Sequence, residues 1–378
     1  MKKSKKLVIG IGIVTLIGII TIGIYNNQQT SGDDTIRIGV ILPLTGSIAV
    51  DGEELLVGVR LAQQDINASS VKNVVLEVED GQFDPKVSVS AYNKLNAKGI
   101  DALIVAGDGP CEAIAPLINR DKKITMAPLT GSLKIKDCSP WMFRCWFYVP
   151  YVAQHAASFM KRSVGGDNQN QLSVFYNDTL YGNLSAKSFQ NVVSSFGGKC
   201  VMESYPFMAT TLRNEVAKLL QRNPIGIFIT GFGLGFITAV NQVKESGYKG
   251  MLITDNALAD VMVLNGLKDS KNIYFVDLDF LELIGNNESR MNDLAQKYSK
   301  MTGKNKISNQ AILAYEATMA LATNFSKDVE IMKQSIINRD SIARSLQDNI
   351  KFTHDGEVVL PLVIKKYRSD GISEVVDK

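Results

Sequence analysis

The sequence predicts an α/β fold in which helices cover both faces of parallel sheets. Continuous apolar runs, such as residues 102–106 and 225–230, have the length and composition of buried strands. Stretches with apolar residues at helical spacing alternate with these runs along most of the chain. Strands that are apolar on both faces and alternate with helices are typical of parallel sheets.

The first unit of this kind spans residues 33–85 and has the order strand, helix, strand. Residues 36–41 form a strand pattern that enters a Pro-Leu-Thr-Gly turn, and residues 74–78 form the second strand after a helical stretch. The turn carries small, hydrogen-bonding residues at the carboxyl end of the first strand. Ligands bind at that edge of open parallel sheets. We therefore expect the loop that contains Ser47 to contribute to a binding site.

The same alternation predicts the later elements. An Asp355-Gly356 pair between extended runs also predicts a β-hairpin near the C-terminus. Further strands are predicted at 102–106, 124–127, 172–176, 200–202, 225–230 and 251–254. Helices are predicted at 87–98, 112–119, 182–196, 211–222, in a stretch that ends at 247, and at 309–325.

The chain is long enough for two lobes with separate cores, because about 345 residues follow the N-terminal segment. Residues 133–150 are aromatic and lack periodicity, which predicts a first crossing between lobes, and residues 272–277 are predicted to cross back. We expect hinge crossings near 145–150, 272–280 and 345–352. The predicted division is 1–32 for an N-terminal segment and linker, 33–147 with 278–350 for lobe one, and 148–277 with 351–378 for lobe two.

The N-terminus has the pattern of an export or anchoring segment. Four lysines in residues 1–6 precede an uncharged run at 7–25. As a helix this run spans about 28 Å, close to the hydrocarbon thickness of a bilayer. Its best small-x-small motif, residues 21–23, is a poor cleavage site. We expect an uncleaved membrane helix with the remainder outside the cytoplasm, on its outer face or in the periplasm. A cleaved signal peptide is the alternative.

Charge and cysteine content exclude several classes of protein. The net charge of +3 includes the four N-terminal lysines, so the remainder carries −1. A nearly neutral domain has no field that would attract nucleic acid. The four cysteines are too few for a disulfide scaffold. For Cys138 and Cys145, the sequence is compatible both with a loop-closing disulfide and with two free thiols.

The sequence contains no pattern of a catalytic or metal site. Its two histidines, His155 and His354, lie in a helix pattern and a hairpin turn, and nothing nearby supports a dyad with Cys111. No His, Cys and carboxylate cluster has ligand spacing. The glycine-rich stretch 231–235 lacks the third glycine of a dinucleotide loop. We expect a binding protein that is no enzyme and needs no cofactor.

The motifs that follow residue 33 stand in a characteristic order. They are IGVILPLTG, LAQQDIN, DGQFDPKVSVSAYNKL, LIVAGDGPCEAIAPL, TMAPLTGS, WMFR, VFYNDTLYG, AYEATMALA and KFTHDGEV. In this order and spacing they resemble the leucine/isoleucine/valine-binding-protein branch of the type I periplasmic binding proteins. The resemblance covers nearly all of the chain after the N-terminal segment. It implies two Rossmann-like lobes joined by three crossings, with a small ligand in the cleft.

The resemblance implies ligand contacts in lobe one. The residue after Gly-x-Gly-Pro, a Ser that holds the ligand carboxylate in the family, is here Cys111. The loop after the next strand corresponds to Thr130 and Ser132. At a position where the family commonly has Trp or Tyr this chain has Asp51, which favours a cationic or strongly hydrogen-bonding ligand. The alternative is that Asp51 caps its helix and faces solvent.

Lobe two contributes three residues by the same resemblance. Tyr181 corresponds to an aromatic that covers the ligand, Phe232 falls in a contact loop, and Asp255 matches an acid that receives the ligand's amino group. The implied function is the capture of a small polar ligand, an amino acid or a related amine, amide or carboxylate, for delivery to an ABC permease. The alternative is a ligand-sensing receptor domain of the same fold without a role in transport.

Overall fold

The computed structural model describes residues 35–69, 72–131, 134–164, 172–279, 282, 287–338, 351–368 and 373–377. These residues build two lobes, each around a mainly parallel sheet, which confirms the predicted α/β fold. The expected membrane segment lies outside the described residues. No helix within the described ranges is long and apolar enough to cross a membrane.

Lobe one contains the first five strands and the helices that pack on them. Its strands are β1 (Thr35–Leu42), β2 (Asn73–Asp80), β3 (Ala102–Val105), β4 (Thr125–Ala127) and β5 (Met142–Arg144). Its helices in this part of the chain are α1 (Ala49–Ala68), α2 (Pro85–Ala97), α3 (Asp108–Asp121) and α4 (Ile135–Cys138). The strand order is β2-β1-β3-β4-β5 and every pair is parallel.

Lobe two begins with a helix and contains a second, larger sheet. Its helices are α5 (Val149–Val164), α6 (Leu180–Ser195), α7 (Arg213–Leu220), α8 (Gly233–Glu245) and α9 (Val261–Gly266), with a short 3₁₀ helix at Asn256–Ala259. Its parallel strands are β6 (Leu172–Asn177), β7 (Cys200–Tyr205), β8 (Gly226–Thr230), β9 (Met251–Thr254) and β10 (Tyr274–Leu278).

The chain then returns to lobe one. Here α10 (Glu288–Thr302), α11 (Asn309–Thr323) and α12 (Val329–Ile337) are followed by a hairpin of β11 (Lys351–Phe352) and β12 (Val358–Val359). Two final strands, β13 (Leu362–Tyr367) and β14 (Ser373–Asp377), extend the sheet of lobe two by antiparallel pairing. The full order of that sheet is β14-β13-β10-β9-β8-β6-β7.

The crossings between lobes differ in part from the prediction. The first lies between β5 and α5, within the predicted range. Most of the stretch 272–277, predicted to cross, forms β10 inside the second sheet, and the chain leaves that sheet at Asp279, within the predicted hinge range of 272–280. The third crossing lies at residues 360–361, later than predicted, because the 351–359 hairpin packs on lobe one. The Asp279 N–H donates to the Pro361 carbonyl at 2.9 Å, so the second and third crossings are joined.

The predicted hairpin at Asp355-Gly356 is confirmed, and it belongs to lobe one. Gly356 has the positive φ of 78° that the turn requires. The Gly356 carbonyl accepts from the Arg144 N–H at 2.8 Å, and the rings of Phe143 and Phe352 meet at 5.4 Å. These contacts attach the hairpin to the edge strand β5.

Helix α11 fixes part of the binding site by packing against α1. A Cβ on Gly58 would stand 2.1 Å from the Ala311 carbonyl oxygen, so the two helices approach too closely for any other residue there. Ser308 caps α11 by accepting from the Ala311 N–H at 3.1 Å. The packing places the first turn of α11, with Asn309 and Gln310, beside the first turn of α1.

The four cysteines are free thiols in the structure, so the bond considered between Cys138 and Cys145 is not formed. Cys145 is fully buried, with its Sγ 3.4 Å from the sulfur of Met126. Burial raises its pKa far above the ordinary thiol value. This cysteine therefore packs as a small hydrophobic residue.

Candidate functional site

A cavity of about 490 Å³ lies between the two lobes. Its walls are mainly loops that follow parallel strands in both sheets, the position at which open α/β sheets bind ligands. The volume is in the range of small-molecule sites. Lobe one contributes Ser47, Ile48, Asp51, Phe83, Asp108, Gly109, Leu129, Gly131, Trp146, Asn309 and Gln310. Lobe two contributes Thr179, Leu180, Tyr181, Phe207, Gly231, Phe232, Gly233, Asn256, Ala257, Ala259, Asp260 and Val263.

Asp51 stands in the first turn of α1, at the wall of the cavity. The chain folds back tightly at this point, since a Cβ on Gly52 would stand 2.0 Å from the Pro43 carbonyl oxygen. The carboxylate is favourably placed at the positive end of the helix dipole. Its Oδ1 accepts a hydrogen bond from Gln310 Nε2 at 2.6 Å.

The amide of Gln310 links carboxylates from the two lobes. Besides Asp51, its Nε2 donates to Asp260 Oδ2 at 3.0 Å, and Asp260 follows β9 in lobe two. Burial and the charge of Asp260 raise the pKa of Asp51 to about 6, and the hydrogen bond from Gln310 acts in the opposite direction. Two carboxylates that share one amide create a negative region where the lobes meet.

The first residue of α3, Asp108, supplies a third carboxylate. A helix N-terminus is a ready anion site when its N–H groups are available. Here Pro110 has no N–H, and the Cys111 N–H donates to the Gly107 carbonyl at 3.0 Å. The side chain of Asp108 adds negative charge at the same place. This helix start is therefore poorly suited to hold an anion.

Cys111 and Thr130 lie behind the wall of lobe one. Both are completely buried, and Cys111 Sγ stands 3.2 Å from Thr130 Oγ1 and 3.7 Å from the Val105 carbonyl oxygen. Burial raises the pKa of the Cys111 thiol to about 12, so the thiol remains neutral at physiological pH. The two side chains contact each other and do not reach the cavity.

Arg144 supports the same wall from inside the protein. It is fully buried, its Nη1 donates to the Thr130 carbonyl, and its Nε forms an ion pair with Glu357 Oε2 at 2.6 Å. The guanidinium also lies 4.7 Å from the ring centroid of Tyr148. The positive charge is thus matched by the hairpin carboxylate behind the cavity.

The wall of lobe two is aromatic. Phe232 packs edge-on against Tyr181, with ring centroids 5.6 Å apart, and against Phe207 at 4.9 Å. Two glycines, Gly231 (φ 147°) and Gly233 (φ 75°), flank Phe232 in backbone conformations that favour glycine. A Cβ on Gly233 would stand 2.5 Å from the Phe207 ring. The glycines therefore allow the three rings to form one surface.

Asp255 is completely buried behind this surface and organises it. Its Oδ2 accepts from Thr230 Oγ1 at 2.7 Å, from the Gly231 N–H at 2.9 Å and from Tyr181 Oη at 3.1 Å. Its Oδ1 accepts from the Ala257 N–H at 3.1 Å. Burial raises the pKa of Asp255 to about 6, while these hydrogen bonds oppose the shift. The carboxylate positions Tyr181 and the Gly231 loop.

The structure brings together only some of the residues that the sequence predicted. Ser47, Asp51, Tyr181 and Phe232 line the cavity. Cys111, Thr130 and Asp255 stand behind its walls, and Ser132 lies outside the described residues. The residues that the sequence analysis missed include Asp108, Trp146, Phe207, Asn256, Asp260 and Gln310. All of these except Gln310 follow the end of a strand, a signal that could have found them.

Neither histidine belongs to the site. His155 is exposed on α5, with Nδ1 2.8 Å from the Tyr151 carbonyl oxygen, and His354 is exposed in the hairpin. Within the described ranges, no group of three or more His, Cys, Asp or Glu side chains is placed to hold a metal ion.

Two lobes of mainly parallel sheet with a cavity between them have the architecture of α/β proteins that bind small molecules. Residues 35–354 match the family model described as periplasmic binding protein, and the chain belongs to this family. Membership implies an extracytoplasmic location.

The curated relatives are Leu/Ile/Val-binding proteins. The chain is 41% identical to one from Rhizobium johnstonii over 68 residues, which are 17% of this chain and 18% of that protein. It is 21% identical to a Leu/Ile/Val-binding protein homolog of Brucella abortus (strain 2308) over 230 residues, 58% of this chain and 57% of that protein. The matches thus span less than two thirds of the length of these relatives.

Solved structures share the fold across most of the chain. A leucine binding protein from Thermotoga maritima superposes with a TM-score of 0.77 at 18% identity, covering 90% of this chain and 97% of that one. A solute binding protein of R. palustris in complex with benzoate gives 0.75 at 16% identity, covering 91% and 96%. By name, these relatives and solved structures are ligand-binding proteins, which agrees with the expectation that the chain is no enzyme.

Proposed function

We infer that the chain captures a small polar molecule in the interlobe cavity and delivers it to an ABC permease. The observation that carries this proposal is the cavity itself, which both lobes line and across which Gln310 of lobe one bonds Asp260 of lobe two. An amino acid or a related amine, amide or carboxylate is of suitable size for about 490 Å³.

Closure of the lobes would couple binding to delivery. A ligand that touches both walls stabilises the closed arrangement, because only there does it contact both lobes at once. The hinge in this proposal consists of the three crossings, at residues 145–148, at Asp279 and at residues 360–361. The hydrogen bond between Asp279 and Pro361 supports a hinge in which the second and third crossings move together.

The N-terminal residues would keep the domain at the membrane. The lysines of residues 1–6 and the apolar run 7–25 support a helical anchor with its basic end in the cytoplasm. In this proposal the binding domain remains tethered beside its permease on the outer face of the membrane. Retention of the full-length mass in a membrane fraction would support the anchor, and a shortened, released chain would indicate cleavage.

A thermal-shift screen tests the binding function. The full chain, purified in detergent, is scanned against amino acids, amines, amides, small carboxylates and sugars, because a ligand of the native state raises the melting temperature. Ser47→Trp, which fills the exposed edge of the cavity, should abolish the shift. Ser194→Trp, on the exposed face of α6, is the matched control and should retain it. A shift that survives Ser47→Trp unchanged, or no shift with any compound, would contradict the proposal.

Delivery is tested separately in cells. Deleting the chain should remove uptake of the radiolabelled ligand, and restoring the wild-type chain should recover it. The Ser47→Trp variant should not recover uptake. Unchanged uptake in the deletion strain would separate ligand binding from transport.

A further inference from the structure

We propose that the ligand is an organic cation with N–H donors and an apolar body, and that its recognition needs no carboxylate. This proposal rests on the proposed function and concerns the same cavity. The proposed ligand differs from a zwitterionic amino acid, whose carboxylate would require positive charge or free hydrogen-bond donors in the walls of the cavity.

The charged side chains of the cavity wall are all acidic. Asp51 and Asp108 come from lobe one and Asp260 from lobe two, and none of the described lining residues is Lys, Arg or His. Lys306 stands close by, with Nζ 3.5 Å from the Ala259 carbonyl oxygen. The described lining residues thus include three acidic side chains and no basic one. Partly buried negative charge is stabilised by a cation that enters the same space.

The side-chain donors in the wall are largely used within the protein. Both hydrogens of Gln310 Nε2 are directed at carboxylates, at 2.6 and 3.0 Å. Tyr181 donates its hydroxyl to Asp255 at 3.1 Å, and Thr179 donates to Asn177 Oδ1 at 2.7 Å. The wall therefore offers acceptors more readily than donors, so a ligand rich in N–H groups is complementary to it.

The start of α3 is a poor site for an anion. At the start of α3, Pro110 provides no N–H, the Cys111 N–H is bonded to Gly107, and Asp108 repels negative charge. Arg144, which could have supplied positive charge, is fully buried and paired with Glu357 at 2.6 Å. Among the described side chains that line this end of the cavity, none is positively charged.

An unmatched acceptor independently points to a donor on the ligand. Asn256 lines the cavity and is only 9% exposed. Its Oδ1 is buried and has no hydrogen-bond partner among the described residues. Leaving a buried acceptor unpaired is unfavourable, so a ligand N–H group that approached it would gain affinity.

The aromatic residues favour a cation with an apolar body. Tyr181, Phe207 and Phe232 form one surface in lobe two, and Phe83 and Trp146 line the opposite lobe. Aromatic faces attract cations through their quadrupole and also bury apolar groups. An arylalkylamine or an alkyl guanidine has both parts, a charged head with N–H donors and a body that the rings can cover.

Two matched ligand sets test the proposal by isothermal titration calorimetry on the full chain in detergent. The first set shares a phenyl body and consists of phenethylamine, phenylalanine and 3-phenylpropionate. The second set compares agmatine with arginine. We expect one of the amines to bind at least about tenfold more tightly than its carboxylated partner, because the added carboxylate would be desolvated beside acidic side chains without a partner.

Variants identify the groups responsible. Asp51→Asn and Asp260→Asn should each weaken binding of the amine about 10- to 100-fold, since each removes a charge that faces the ligand. Glu330→Gln removes a charge on the exposed face of α12, far from the cavity lining, and should change the affinity less than twofold. Circular dichroism checks that all three variants remain folded.

Each outcome bears on one of the two proposals. Tighter binding of an amine, lost in the two cavity variants, supports the cation. Tighter binding of phenylalanine, arginine or 3-phenylpropionate would refute the proposal that the ligand is a cation, while the proposed binding function would stand. Equal affinity within each set would also refute a cationic ligand, because the head group would then not be recognised. If no compound of these sets or of the thermal-shift screen binds, both the proposed binding function and the proposal of a cationic ligand are contradicted.

Discussion

Replacing Asp255 by alanine distinguishes a positioning carboxylate from a ligand contact. Its two oxygens accept four hydrogen bonds, at 2.7 to 3.1 Å, from protein donors on three segments. Alanine removes all four acceptor contacts at a site with no exposed surface. The Tyr181 and Thr230 hydroxyls can turn to other partners, but the N–H groups of Gly231 and Ala257 are fixed by the backbone.

The expected effect on stability follows from those two amides. Each buried donor that loses its acceptor costs about 1–3 kcal/mol. Removing the buried charge offsets part of this, so we expect Asp255→Ala to lower the free energy of unfolding by about 2–4 kcal/mol. Asp255→Asn keeps one oxygen and should cost less, about 1–2 kcal/mol. Urea denaturation followed by circular dichroism measures both values.

The pH dependence of Asp255 has a definite sign. Its folded pKa of about 6 lies above the ordinary value of 3.8, so protonation favours the folded state. Its contribution therefore becomes more favourable as the pH falls through 6 towards 3.8. Between pH 7 and pH 5 the wild type should gain about 1 kcal/mol relative to Asp255→Asn, which does not titrate.

Ligand affinity provides the decisive comparison. If Asp255 acts only through Tyr181 and the Gly231 loop, Asp255→Ala should weaken the binding of phenethylamine and of the uncharged 2-phenylethanol by the same factor. Asp51→Ala is the contrast and should weaken the amine far more than the alcohol. A selective loss of the amine in Asp255→Ala, with stability unchanged, would refute the positioning role and return Asp255 to the ligand contacts.

Three further predictions concern the walls of the cavity. Lowering the pH from 7 to 5 should weaken amine binding about tenfold in calorimetry, because Asp51, with a pKa of about 6, loses its charge; a dependence unchanged in Asp51→Asn would contradict this. Tyr181→Phe should lower the free energy of unfolding by about 1 kcal/mol in urea denaturation, because it removes the hydrogen bond to Asp255. It should keep ligand affinity within about threefold, because the ring remains. An affinity loss as large as that of Tyr181→Ala would assign the hydroxyl to the ligand. Glu357→Gln should lower the free energy of unfolding by about 3 kcal/mol, since it leaves the buried Arg144 without its carboxylate. Asp355→Asn, at an exposed position of the same hairpin, should change it by no more than about 0.5 kcal/mol. Equal melting temperatures for the two variants would refute the role of the buried pair.

The fold was largely predictable because its signals are local. Runs such as residues 102–106 and 225–230 are apolar on both faces, and the helices between them carry helical spacing, so strand and helix types follow directly. Residues 272–277 were harder to interpret, because the pairing of a strand is not a local signal. This run reads as an extended segment, but nothing local states that it pairs with β9 and β13 inside the second sheet.

The site was less predictable because it depends on side-chain direction and long-range pairing. Cys111 follows a strand end as a ligand residue would, yet its place in the first turn of α3 directs it towards Val105 and Thr130. Asp260 and Gln310 are fifty residues apart in the chain and belong to different lobes, so they meet only where lobe two faces the first turn of α11. The sequence shows which loops reach the cavity but not which side chains face it.

Solution X-ray scattering of the full chain, with and without the tightest ligand of the matched sets, tests the central claim most directly. Ligand that bridges Asp51 of lobe one and Asp260 of lobe two should draw the lobes together and lower the radius of gyration. The Asp51→Asn, Asp260→Asn double variant should show no change at the same ligand concentration. An unchanged radius for the wild type at saturating ligand would contradict closure around the interlobe cavity.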